Sequence, residues 1–130
     1  MVLHQDGRKP FSFSKRLHSF KYAFRGIGLA FRSQHNLRIH LCATVLVVVL
    51  ACWFDISITK WIAILLSIGF VLVAELFNTA IEELVNLVSP GHDKKAGLVK
   101  DLAAGAVLLS AITAAAVGLI VFLPEIIERL

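Results

Sequence analysis

Phe70-Val-Leu-Val-Ala-Glu-Leu-Phe-Asn-Thr-Ala-Ile-Glu-Glu-Leu-Val-Asn-Leu-Val88 starts as an apolar, membrane-type run and then takes on acids without losing its helical pattern. Each helical residue turns the chain by about 100°. With Glu75 set at zero, Asn78 falls at about −60°, Glu82 at about −20° and Asn86 at about +20°. These four side chains form one narrow polar stripe, whereas Glu83 falls off it at about +80°. Leu76, Phe77, Ala80, Leu84 and Val88 cover the remaining surface. A carboxylate close to a bilayer costs several kcal/mol unless it is paired, metal-bound or hydrated. The stripe therefore calls for a functional partner.

Working outward, the composition fits a membrane protein. The chain has 130 residues, 58% of them hydrophobic, and a mean hydropathy of +0.80. That is too apolar for a soluble domain of this length and leaves room for about three spans. The net charge is +4, with positive charge crowded into the first third. In a membrane protein this points to an anionic leaflet, so no nucleic-acid partner is expected. Cys42 and Cys52 lie in an apolar run without CxxC spacing and read as small core hydrophobes. A cleavable signal segment is not expected.

In chain order, Phe13, Leu17, Phe20, Phe24, Ile27 and Phe31 recur at alternating steps of four and three, which places them on one helix face. Lys15, His18, Lys21, Arg25 and Arg32 lie largely opposite. Residues 11–32 are thus predicted to form a basic amphipathic helix, either lying among the lipid headgroups or packing its Phe face on the bundle. Residues 33–40 are polar and read as a separator, with His35 and His40 as interfacial or loop side chains. Spans are predicted at 39–54, 59–88 and 102–123. Trp53 and Trp61 mark one interface, and Ser89-Pro-Gly91 ends the second span. Residues 92–100 read as a basic loop. Gly105, Ala106, Ser110, Ala114 and Gly118 suit close helix packing in the third span. The expected fold is an all-α membrane protein, a surface helix followed by three transmembrane helices, forming one domain over residues 1–130.

Lys and Arg crowd the N-terminal segment and the second loop, while the first turn holds only Lys60. The N-terminus and the second loop are therefore expected on the cytoplasmic side, where ATP is available.

Glu75, Asn78 and Glu82 beside Lys100 and Asp101 suit phosphoryl transfer at a membrane surface. A carboxylate accepts a hydroxyl proton. Carboxylate and amide oxygens hold Mg²⁺. A lysine offsets phosphate charge in a reaction governed by positioning and electrostatics. Soluble nucleotide motifs such as GxxxxGK[ST] and HRD are absent from the sequence. The competing reading is an ion-pair network holding a small bundle together, with Glu82 paired to Lys95 or Lys100.

Ala74-Glu-Leu-Phe-Asn-Thr-Ala-Ile-Glu82, followed by Val88-Ser-Pro90 and Lys100-Asp-Leu-Ala-Ala-Gly-Ala-Val-Leu-Leu109, resembles the bacterial integral-membrane diacylglycerol kinase family, which includes undecaprenol kinases. The likeness extends from about Phe13 to Leu123. Pro90 and the run after Asp101 look more like the undecaprenol-kinase branch. The resemblance implies a homotrimer in the bacterial inner membrane, with active sites shared between neighbouring chains at the cytoplasmic boundary. It also implies transfer of the ATP γ-phosphate to a lipid alcohol, undecaprenol or diacylglycerol, with Mg²⁺ as cofactor. By the same likeness Glu75 is the general base, Glu82 a metal ligand and Asn78 its support. Lys100, Asp101, Tyr22 and the pair Lys15-Arg16 fall at nucleotide-contacting positions. Two positions depart from the family pattern. Gln34 stands where a second metal-binding glutamate is usual, and Asn86 where aspartate is common. An uncharged Gln34 holds a metal more weakly, which leaves open a non-catalytic relative that binds lipid or nucleotide. A third reading, an ion-pathway subunit, favours acids nearer mid-span and has no use for Lys100-Asp101.

Overall fold

The computed structural model describes residues 13–91 and 93–129, with side chains from residue 17 onward. Among the described residues the chain forms four α-helices: α1 Phe13–Ser33, α2 His35–Phe54, α3 Ile58–Val88 and α4 Lys94–Ile127. The last three are long and apolar enough to cross a membrane. Their 20, 31 and 34 residues correspond to about 30, 46 and 51 Å of helix. A hydrocarbon core measures about 30 Å. So α2 matches the bilayer, whereas α3 and α4 outgrow it, and their surplus length carries polar side chains beyond the fat.

The turn between α2 and α3 fixes which end is surplus. Asp55 adopts a left-handed conformation (φ 50°), and the Ile56 N–H returns to the Ala51 carbonyl. This is a Schellman-type helix end, sealed by an apolar residue just past the cap. Ile56 is buried there with Ala51, Ile64, Val121 and Phe122, the main apolar core. Arg129 reinforces that end by donating from Nη2 to the Phe54 carbonyl (3.1 Å) and lying over the Phe54 ring. Lys60 Nζ pairs with Glu125 at 2.6 Å. From this closed end α3 and α4 pack along one another, and their far ends hold the polar stripe.

Several features differ from the sequence reading. The segment 33–40 is not an open separator: the chain breaks at extended Gln34 (ψ 119°), and α2 begins at once. A polar run can be helical when one residue in it is buried, and Leu37, 1% exposed, anchors that first turn. The basic segment 92–100 is helical from Lys94 because Asp93 caps α4, accepting from the amides of Lys95 and Ala96. At its other end α4 runs through Pro124, which removes one helical hydrogen bond without ending the helix. Cys42 and Cys52 are free and exposed rather than core residues. Gly105 and Gly118 have open space where a Cβ would stand, so neither is a close-packing position within one chain; Ala103 and Ser110 are small residues that α4 does bury. Phe20 and Phe24 on α1 are exposed, so this Phe face is not folded onto the chain's own spans, whereas Ala30 is buried near the helix end.

Candidate functional site

The site is built on the outgrowing half of α3. Glu75 lies seventeen residues after Ile58, about 26 Å along the helix, near the edge of the hydrocarbon. Glu82 lies two turns further, about 10 Å along the same axis toward the end that outgrows the bilayer. Helical periodicity puts Glu75, Asn78 and Glu82 on one face, and packing buries the first two, Glu75 to 1% and Asn78 to 8% exposure.

Around Glu82 the geometry is an amide clamp. Asn78 Nδ2 donates to Oε1 at 2.9 Å, and Gln34 Nε2 donates to Oε2 at 3.2 Å. Gln34 reaches Glu82 because it stands in the break between α1 and α2, where the extended backbone turns the chain from the surface helix into the first span. Among the described residues neither Lys95 nor Lys100 pairs with Glu82, so the ion-pair network is not what occupies this face. Lys100 Nζ instead donates to Asn86 Oδ1 at 2.6 Å, linking the end of α3 to the start of α4.

Around Glu75 the partner is His40. Its Nε2 lies 3.2 Å from Glu75 Oε1, an ion-pair distance without the alignment of a hydrogen bond. His40 comes from the second turn of α2, and the sequence reading placed it among interfacial side chains. Nothing in spacing along α2 reveals a partner on α3. The available signal was the burial demanded of Glu75, which required some polar neighbour.

Tyr22 and Asp101 make no hydrogen bond or ion pair with this cluster among the described residues. Tyr22 is exposed on α1, its ring beside His18. Asp101 is exposed, next in sequence to Lys100. The side chains of Lys15 and Arg16 lie outside the described residues. Glu83, off the stripe as expected, lines a separate cavity of about 630 Å³ between α1 and α3.

For a metal, the donor set is partial. Among the described residues no three His, Cys, Asp or Glu side chains gather into a metal-holding group. Yet Asn78 Oδ1 is a buried oxygen with no hydrogen-bond donor, next to the Glu82 carboxylate. One carboxylate and one amide oxygen fit Mg²⁺, which commonly takes one or two carboxylates and completes its shell with phosphate oxygens and water.

Fold and cluster together define a small multi-span membrane protein with an interfacial carboxylate–amide site. The family model for prokaryotic diacylglycerol kinase matches residues 21–122, and the chain belongs to that family. It is a membrane lipid kinase, as the resemblance implied. The chain is 39% identical over 108 residues to the undecaprenol kinase of Bacillus subtilis, covering 83% of this chain and 88% of that protein. It is 39% identical over 111 residues to the diacylglycerol kinase of a Synechocystis species, covering 85% of this chain and 63% of the relative. It is 28% identical over 102 residues to the diacylglycerol kinase of Escherichia coli K12, covering 78% and 84%.

Proposed function

We propose that this chain, acting as one unit over residues 1–130, transfers the γ-phosphate of ATP to a lipid alcohol, with undecaprenol favoured over diacylglycerol. The observation that carries the reading is the placement of two acids on one face of α3. Glu75 lies buried at the edge of the fat, where a lipid hydroxyl sits. Glu82 lies two turns out, where a nucleotide arrives. The preference for undecaprenol rests on the Bacillus subtilis relative, which matches over nearly its whole length at 39% identity.

Glu75 takes the proton of the lipid hydroxyl as its oxygen attacks the γ-phosphorus, and the bond to the ADP oxygen breaks. Glu82, with Asn78 and Gln34, would hold Mg²⁺, and the ion when bound offsets charge on the phosphate oxygens. Lys100 turns from Asn86 to the phosphates, while Asp101, Tyr22, Lys15 and Arg16 contact the nucleotide. The basic N-terminal segment and the start of α4 face the cytoplasm across the bacterial inner membrane. Three chains assemble, which would bring Tyr22 and Asp101 to a neighbour's α3.

The test is direct. Detergent-purified protein with Mg·ATP is offered a C55 polyprenol and a diacylglycerol separately. The polyprenol is expected to be phosphorylated faster, and Glu75→Gln to abolish turnover while oligomer size persists. Failure of both lipids at every Mg²⁺ concentration would replace this reading with the non-catalytic relative, in which the Gln34 amide permanently caps Glu82.

A further inference from the structure

Glu75 is almost fully buried, yet its Oε1 receives no aligned hydrogen bond. Packing confines a buried carboxylate but does not fix which oxygen faces the substrate, and a proton acceptor misplaced by about 1 Å loses about a hundredfold in rate. Something must hold it. The side chain placed to do so is His40, 3.2 Å from Oε1 and itself about a quarter exposed.

His40 also lines, with Thr44, a groove of about 270 Å³ between α2, α3 and α4 that is otherwise apolar, with residues such as Val47, Val71, Ala114 and Gly118. The imidazole thus stands between an apolar groove and the buried acid. Thr44, one turn along α2, hydrogen-bonds the His40 carbonyl and does not compete for the ring.

We infer that His40 is the positioning residue for Glu75: a small rotation of its ring aligns the N–H, its nitrogen now 3.2 Å from Oε1, and the hydrogen bond so formed turns Oε2 toward the hydroxyl being phosphorylated. This rests on Glu75 being the proton acceptor. In the step itself the hydroxyl proton passes to Glu75 Oε2, the lipid oxygen bonds to phosphorus, and ADP leaves with the bridging oxygen's electron pair. His40 gives up and gains nothing; a neutral N–H donor suffices.

That distinction makes the role testable with two variants. His40→Leu removes the donor. His40→Gln places an amide N–H near the position of Nε2 but cannot carry a proton near neutral pH. With the lipid found active above, His40→Leu is expected to lower kcat by about a hundredfold with KM for ATP and lipid changed less than about threefold. His40→Gln is expected to recover kcat to within about tenfold of the starting protein. Should His40→Gln be as slow as His40→Leu, or should His40→Leu raise KM at unchanged kcat, the positioning role is overturned. Where the Leu variant does not assemble, the kcat of His40→Gln decides by the same limits. Glu75→Gln run alongside separates the two levels: its retention of activity removes the base assignment, whereas a dead Glu75→Gln with a fully active His40→Leu removes His40 alone.

Discussion

Gln34 and Glu82 show how one uncharged side chain changes the character of the site. The amide donates to the carboxylate at 3.2 Å, so without metal the pair is content. A glutamate at position 34 would face Glu82 at similar range, and two carboxylates that close repel unless a cation or proton lies between them. Gln34→Glu is therefore expected to lower the melting temperature in EDTA and to increase the stabilisation by Mg²⁺. The Mg²⁺ concentration for half-maximal activity should fall, by on the order of tenfold, because ligand charge sets affinity for this ion. Thermal melts across a Mg²⁺ series and an activity titration check both halves. An unchanged Mg²⁺ requirement would place residue 34 outside the metal shell. Asn86 has a comparable standing: as a neutral partner it holds Lys100 at 2.6 Å without cancelling the lysine's charge.

At the scale of elements, α4 depends on its first turn. Residues 94–100 are mostly polar or small and have little to bury, so the Asp93 cap decides whether they stay helical. Asp93→Ala is expected to cost about 1 kcal/mol. Amide exchange at Lys95 and Ala96 should then rise by about fivefold, with a modest rise in KM for ATP as Lys100 loses its footing. The other end of α4 behaves differently. The Lys60–Glu125 pair is partly exposed, so Glu125→Gln should change stability by less than about 1 kcal/mol, measured by thermal denaturation in detergent. A larger loss would mean the closed end of the bundle relies on that pair more than on the apolar cluster of Ala51, Ile56, Ile64, Val121 and Phe122.

For the whole molecule, one chain buries little of itself. Leu, Ile, Val and Phe side chains of the three spans are widely exposed, and such surfaces are satisfied by lipid or by another copy. Tyr22 and Asp101 are exposed, and among the described residues no hydrogen bond or ion pair joins either to Glu82. If three chains share their sites, each of Glu75→Gln and Asp101→Asn is expected to be inactive alone, and co-assembling the two chains should restore measurable turnover. Native mass spectrometry of the detergent complex should report a trimer. No recovery in the mixed assembly would mean that each chain carries a complete site.

Local chemistry was legible without coordinates wherever the relevant distance runs along one helix. The 3.6-residue repeat alone put Glu75, Asn78 and Glu82 on one face, and hydropathy alone announced three spans. The motif through Glu82 and Lys100-Asp101 carried the family. What the tertiary structure decided are contacts between helices, which no spacing encodes: His40 against Glu75, Gln34 across to Glu82, Lys100 to Asn86 instead of Glu82. The reason is geometric. Periodicity defines direction around one axis, whereas partner choice depends on how axes are offset and rotated against each other. That offset is set here by the Asp55 turn, by the Gln34 break and by the mutual packing of α3 and α4.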